Sequence, residues 1–600
     1  MDEDVIGKAY DSRLMRRLLG YLRPHRHSVV LALAAIVGHS MMQLTYPYLT
    51  KVAIDQHILT GDLTGLNQIV LLFLAILLAS FLLEYLETYT MQMMGQRIMY
   101  DLRTQIYSHL QALDVQFYDR NPVGRLMTRV TTDVDALNDL FASGVIAVFR
   151  DVFTLLGIMV ILLVMDWRLA LVAFSVLPLI AAVTHWFRKH ARESYRRVRG
   201  WIARINSTLQ ESITGMTTIQ LFRQEQRSFD KFEDLNKSHR DANVDSIFYY
   251  ATFYPAVNVL GALATALIIW FGGGWTLENT LTLGSLVAFL QYSARFFRPI
   301  SDLSEKFNIL QSAMASSERV FGLLDTPVGI TNPVTTPEVA KDQRGRIAFD
   351  HVWFAYRDED VLRDVSFSID PGERVGIVGA TGSGKTTLIN LLLRFYDVGR
   401  GSVSVDGVDV RRLPLSTLRR RFGLVLQDGY LFSGTIRDNV AMGQDHLDDD
   451  TILTMARHVH ADRVIARSTN GLDSRVVERG ATLSTGEKQL LSFARALAYE
   501  PEILILDEAT SNVDTDTEFL IQDGLRTLMK GRTTIAIAHR LSTVQDMDRV
   551  LVFHRGELRE SGSHQELLAL RGIYYRLYQL QYKDQEDRRS VLEKNVREER

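Results

Sequence analysis

The stretch Arg374-Val-Gly-Ile-Val-Gly379-Ala380-Thr381-Gly382-Ser383-Gly384-Lys385-Thr386-Thr387-Leu-Ile-Asn-Leu-Leu-Leu393 joins two apolar runs across a glycine-rich turn. The first run is short and β-branched, as a buried strand is, and the second has the length and residue types of a helix. Between them lies G-x-x-x-x-G-K-[ST], with the strand and helix that this pattern requires. Its glycines let successive backbone N–H groups close on phosphate oxygens, and the helix N-terminus adds its dipole. The cradle runs through Gly379, Ala380, Thr381, Gly382, Ser383, Gly384, Lys385, Thr386 and Thr387. Lys385 is expected to reach the β and γ phosphates of a nucleotide, and the Thr386 hydroxyl to ligate Mg²⁺.

Downstream, the apolar run Ile503-Leu504-Ile505-Leu506 ends in Asp507-Glu508. A strand buried on both faces would deliver these carboxylates at its C-terminal end, where open α/β sheets bind ligands. Asp507 is then placed to hold Mg²⁺ and Glu508 to polarise an attacking water. Alone, an acidic pair after a strand reads more simply as a helix cap. The phosphate loop upstream favours catalysis. Short strands alternate with helical stretches from about residue 345 to 582, the pattern of an α/β domain with a largely parallel sheet.

Upstream the texture is different. The chain has 600 residues, 47% hydrophobic and 23% charged, and 67 Lys+Arg against 70 Asp+Glu give a net charge of −3. No global basic field argues for nucleic acid. The absence of cysteine excludes disulfides, thiolate metal sites and cysteine nucleophiles. It fits a bacterial membrane or a reducing cytoplasm, and a chain engineered to lack cysteine would look the same. Apolar segments long enough for a membrane helix, which needs roughly 20 residues, lie at about 27–55 and 66–94. Further candidates lie at about 144–165, 169–186, 246–271 and 281–297, the last two less apolar and expected to be broken by Pro255 and Pro299. Arginines crowd the segment before the first span and the loops after spans two and four, so both termini are expected on the cytoplasmic side. Those two loops are polar but helix-patterned, so the helices are expected to continue into the cytoplasm. The implied organisation is a membrane domain over 1–325, a proline-bearing linker over 326–344, an ATPase domain over 345–582 and a charged tail over 583–600.

Leu483-Ser484-Thr485-Gly486-Glu487-Lys488-Gln489, opening the helical QLLSFARALA, resembles the signature of the ATP-binding cassette superfamily. The resemblance covers nearly the whole chain. It implies that Tyr356 stacks on adenine, that Gln427 senses Mg²⁺ and contacts the membrane domain, and that Ser484 and Gly486 belong to the signature facing a γ-phosphate. It further implies a D-loop at Ser511-Asn512-Val513-Asp514, a switch histidine at His539, and an exporter-specific loop around Glu478. Phe117-Tyr118-Asp119-Arg120-Asn121-Pro122-Val123-Gly124-Arg125-Leu126 resembles the first intracellular coupling loop of type IV exporters, and Glu211 to Phe222 the second. A membrane domain fused ahead of its ATPase domain points to export. One chain would be half a transporter, with two ATP molecules sandwiched between two ATPase domains.

The signature departs from the family's LSGGQ at Thr485 and Glu487. A side chain at 485 narrows the approach to a γ-phosphate, and an anionic Glu487 near the helix start adds negative potential. Because Glu508, Gln427 and His539 match the competent set, the chain resembles the catalytically complete half of a heterodimeric exporter, with an active homodimer as the alternative. The transported substrate would be hydrophobic or amphipathic: a drug, a lipid or a peptide. Glu84 and Glu87, at i and i+3 in span two, read either as a selector of cationic substrates or as a polar interhelical contact. Arg150 and Asp151 fall near the inner interface, where snorkelling accounts for them. Tyr249, Tyr250, Phe253 and Tyr254 with Met41 and Met42 read as helix packing more readily than as a drug cavity. Six spans exclude a soluble cassette ATPase. A lipid flippase, an ATP-gated channel or a membrane sensor would share every motif.

Overall fold

The computed structural model describes residues 11–333, 344–427, 429–444, 446–507, 515–537 and 541–580, with side chains at 143–147, 297–305, 307–308, 515–516 and 541–542 outside the description. The chain forms two compact units, Met1–Gln111 with Val123–Thr326, and Ala112–Pro122 with Pro327–Arg600. The tail at 583–600 and the linker residues 334–343 lie outside the described residues.

The first unit is helical. Its long helices are Arg26–Val52, Leu63–Ala112, Val145–Met165, Leu177–Thr214, Glu225–Leu267 and Leu283–Leu324. Four of them have 38 to 50 residues. At 1.5 Å per residue that is about 57–75 Å, roughly twice the hydrocarbon core, so the polar segments between the apolar stretches continue as helix. Among the described residues, five helical runs are long and apolar enough to cross a membrane, Arg23–Ile58, Leu63–Ala112, Val148–Met165, Trp167–Thr214 and Glu225–Leu277. The expected sixth stretch, 281–297, opens the 42-residue helix Leu283–Leu324. Its apolar run is interrupted by Gln291, Ser293 and Arg295.

Two details correct the sequence reading. Neither proline breaks its helix, since Leu283–Leu324 runs through Pro299 and Glu225–Leu267 through Pro255. A proline frees the carbonyl four residues earlier, for Pro255 that of Ala251, and a long helix among packed neighbours carries that loss. The stretch 169–186 is not one helix. Trp167–Phe174 and Leu177–Thr214 meet at Ser175-Val176, and Pro178 lies in the first turn of the second, where its missing N–H costs nothing. The core of this unit gathers Ile158, Leu162, Leu169, Ile268, Phe289 and Tyr292. On Leu63–Ala112, by contrast, Leu71, Leu74, Leu78, Phe81 and Leu82 are exposed, a face suited to hydrocarbon rather than water.

The second unit is built on a six-stranded sheet in the order Glu557–Gly562, Arg549–His554, Arg374–Gly379, Thr533–Ile537, Ile503–Asp507, Phe422–Val425. The last five run parallel and only the Glu557–Gly562 edge is antiparallel. Alternation along the strands feeds two cores. Ile503, Ile505, Ile535 and Ile537 pack with Leu388 and Leu391 of the helix Lys385–Leu392 on one face. Leu504, Leu506 and Ala536 pack with Leu490 and Phe493 of the helix Thr485–Ala498 on the other. The unbroken apolar run before Asp507 is thus required, because both faces of that strand are covered. A four-stranded antiparallel sheet, Asp360–Ile369, Ile347–Ala355, Arg400–Val405 and Val408–Asp409, completes the first of these cores.

Candidate functional site

Parallel register brings the singled-out residues to one edge. Ile537 pairs with Asp507, Ile377 with Ile537, and Val425 with Leu506, so Gly379, Asp507 and Gln427 all stand at the carboxyl ends of neighbouring strands. Glu508, Asp514 and His539 lie outside the described residues. So do Ser511, Asn512 and Val513.

The phosphate loop closes tightly. Gly384 has φ +96°, and a Cβ there would stand 2.6 Å from Leu362 Cδ2. Gly379 likewise has no room, since a Cβ would meet the Phe553 carbonyl oxygen at 2.3 Å. Lys385, buried in the loop, donates through Nζ to the carbonyl oxygens of Gly379 at 2.8 Å and Ala380 at 3.1 Å. Burial lowers the Lys385 pKa, and the nearby Asp507 carboxylate pulls the other way. Ser383 Oγ is buried without a hydrogen-bond partner, an orphan that an incoming anion can satisfy. Ala380, Thr381, Gly382 and Thr386 are exposed, and Thr387 is buried. Tyr356 is half-buried, its hydroxyl donating to Thr387 Oγ1 at 3.2 Å. Gln427 is exposed just past the strand Phe422–Val425.

The signature stands at the start of the helix Thr485–Ala498. Ser484 is its N-cap, and Ser484 and Glu487 form a capping box. Gly486 is buried and Thr485 exposed. Glu487 is thus more than a departure from the family's LSGGQ, since S-x-x-E before an apolar helical run is itself a recognised N-terminal signal. Glu478 is exposed in the turn Glu478–Gly480 just before it.

Comparison with known proteins decides the family. Residues 29–300 match the ABC transporter transmembrane region family and residues 362–511 match the ABC transporter family. A probable multidrug resistance ABC transporter ATP-binding/permease protein of Bacillus subtilis is 39% identical over 87% of this chain and 77% of its own length. The chain belongs to the ATP-binding cassette exporters. An ATP-dependent lipid A-core flippase of Syntrophus aciditrophicus is 35% identical, with 95% of each chain covered. A bacterial Atm1-family ABC exporter solved with ATP bound is 29% identical with a TM-score of 0.75, covering 93% of this chain and 98% of that one. The exporter is an integral membrane protein that binds nucleotide and couples ATP hydrolysis to transport.

Within the exporter's membrane unit, Glu84 and Glu87 do not share an environment. Glu84 is exposed, whereas Glu87 is buried and accepts from Arg150 Nη1 at 2.8 Å. Arg150 also lies 3.9 Å from Asp151, which in turn pairs with Lys306. Arg150 is therefore tied into a charge network with Glu87, Asp151 and Lys306. Phe187 stacks on Phe253 with ring centroids 4.1 Å apart, and Tyr250 packs edge-on to Phe187 at 5.1 Å, so these aromatics pair the helix Leu177–Thr214 with the helix Glu225–Leu267. Tyr254 and Met41 are exposed, and Met42 is half-buried.

Proposed function

We propose that the exporter is one half of a heterodimeric pump that moves a hydrophobic or amphipathic substrate across a bacterial cytoplasmic membrane. Six spans over 27–55, 66–94, 144–165, 169–186, 246–271 and 281–297 would leave both termini and the ATPase domain in the cytoplasm. The relatives named as a multidrug exporter and a lipid flippase support that substrate class. A lipid-flipping homodimer is the second reading, favoured by the full-length match to the flippase.

In this reading Gly379 to Thr387 wrap the phosphates, Lys385 neutralises the β and γ phosphates, and Tyr356 stacks on adenine. The orphaned Ser383 hydroxyl and the close-packed glycines support an anion cradle. Thr386, Gln427 and Asp507 would hold Mg²⁺, an all-oxygen donor set that suits a hard divalent cation. When bound, the ion would neutralise charge developing on the phosphates. Glu508 orients the attacking water and accepts its proton, while His539 donates to the γ-phosphate. Ser484 and Gly486 present the signature helix N-terminus, and Asp514 the D-loop, to the ATP held by the partner chain.

The observation that carries the heterodimer is Glu487. Its Oε2 accepts from the Ser484 N–H at 2.9 Å, so a carboxylate occupies a helix terminus that should face a phosphate. A partner with an unaltered signature would complete the competent site on this chain. Native mass spectrometry of the complex, drawn from its own membrane through a tag on this chain, tests the proposal. A partner of different mass supports it, and a mass of twice this chain overturns it.

A further inference from the structure

Residues 112–122 belong to the ATPase-bearing unit although the chain on either side, up to Gln111 and from Val123, belongs to the membrane unit. This short segment is therefore a place where the chain of the membrane unit enters the ATPase-bearing unit. Its helix, Val115–Arg120, is capped by Asp114 and carries Asp119. Asp119 Oδ2 accepts a hydrogen bond from the hydroxyl of Tyr396.

Tyr396 comes just after the phosphate-loop helix, in Arg394-Phe395-Tyr396-Asp397, and only 6% of it is exposed. Its ring meets Tyr356 edge-on, centroids 5.0 Å apart and planes at 90°. The Tyr356 hydroxyl donates to Thr387 Oγ1 and accepts from Asn390 Nδ2, each at 3.2 Å. Both partners lie on the helix Lys385–Leu392 that follows the phosphate loop. Asp119, Tyr396, Tyr356 and Thr387 thus form one continuous chain of contacts. Burial first, and the Asp119 carboxylate second, raise the Tyr396 pKa, so its hydroxyl stays a neutral donor. A tyrosine ring and its hydroxyl move as one rigid body about two torsions, so fixing the ring face also aims the hydroxyl.

We propose that Tyr396 is a positioning residue that couples occupation of the adenine face of Tyr356 to the Asp119 helix. The inference rests on the reading of Tyr356 and the phosphate loop as the nucleotide site. A base stacked on Tyr356 restricts that ring, the edge-on contact restricts Tyr396, and the hydroxyl passes the restriction to Asp119. The chain then responds to the base of ATP as well as to its phosphates.

This chain has no cysteine of its own, so an introduced one is the single thiol it contributes, and the complex without it serves as the labelling control. The full complex carries Val115→Cys, labelled with an environment-sensitive fluorophore, and is titrated with ATP or with inorganic triphosphate, which lacks the base. ATP binding is measured on the same samples by displacement of a fluorescent nucleotide. ATP is expected to shift the emission and triphosphate to leave most of that shift unmade. Tyr396→Phe keeps the ring and removes the hydroxyl. It should lose most of the ATP-induced shift while its ATP dissociation constant stays within about threefold. Asp119→Ala should do the same, and the double variant should add nothing further. A full emission shift in Tyr396→Phe with ATP bound, an equal shift with triphosphate, or additive losses in the double variant would overturn the relay. If Lys385→Ala and Tyr356→Ala bind ATP as tightly as the parent, the site reading fails and takes the relay with it.

Discussion

Ser484 and Glu487 hold each other across the first turn of their helix: Ser484 Oγ accepts the Glu487 N–H at 3.2 Å, and Glu487 Oε2 accepts the Ser484 N–H at 2.9 Å. Glutamine serves the same position in a capping box, so Glu487→Gln removes charge without removing the cap. It is expected to leave the melting temperature unchanged. Because the heterodimer uses the partner's signature at its hydrolysing site, ATP turnover should stay within about twofold. A severalfold rise in turnover would mean that this signature faces a hydrolysing site.

Lys385 has lost much of its hydration and donates to two carbonyls of its own loop. Lys385→Ala should weaken ATP binding by at least about tenfold, or ~1.4 kcal/mol, in a direct titration. Unchanged affinity would remove this lysine from the phosphate site.

Asp133, on the helix Thr132–Asp139, accepts from Arg129 Nη1 at 2.9 Å, from Ser316 Oγ at 3.0 Å, and from Arg319. Burial raises its pKa, but the hydrogen bonds from Arg319 and Arg129 outweigh burial and leave it lowered. A carboxylate depressed in the folded state contributes stability above its unfolded pKa of about 3.9 and loses it as pH falls through the lower folded value. Asp133→Asn should melt below the wild type at pH 7, and the two melting curves should converge as the pH drops below about 4. A gap of constant size across that range would show that the carboxylate's charge plays no part.

Glu87 and Glu84 should respond differently to the same change. Glu87→Gln weakens the pair that the buried Glu87 makes with a half-exposed Arg150, a loss of about 1–3 kcal/mol. Glu84→Gln alters an exposed residue and should stay within about 0.5 kcal/mol. Thermal melting in detergent compares them, and a larger loss from Glu84→Gln would reverse the assignment.

What could be read without coordinates follows from locality. The phosphate loop, its strand and its helix are contiguous, and glycine spacing alone restricts what they can build. The run Ile503–Leu506 forecast a strand covered on both faces, because period-two alternation there places an apolar side chain on each. Pro255 misled because local propensity counts the lost hydrogen bond and cannot count the packing of a 43-residue helix. Glu87 and Arg150 are 63 residues apart, and Asp119 and Tyr396 are 277 apart, so no local pattern links either pair. The capping box was local and visible, yet comparison with a consensus drew the eye to what Glu487 replaces instead of what it bonds.

The most direct test is ATP turnover by the Glu508→Gln complex beside the wild type, with ATP binding measured on the same preparation. Removing a general base should lower turnover by about 10²-fold or more while ATP affinity is kept. Undiminished turnover by a correctly assembled Glu508→Gln complex would contradict the claim that this chain's own site hydrolyses the ATP that drives export.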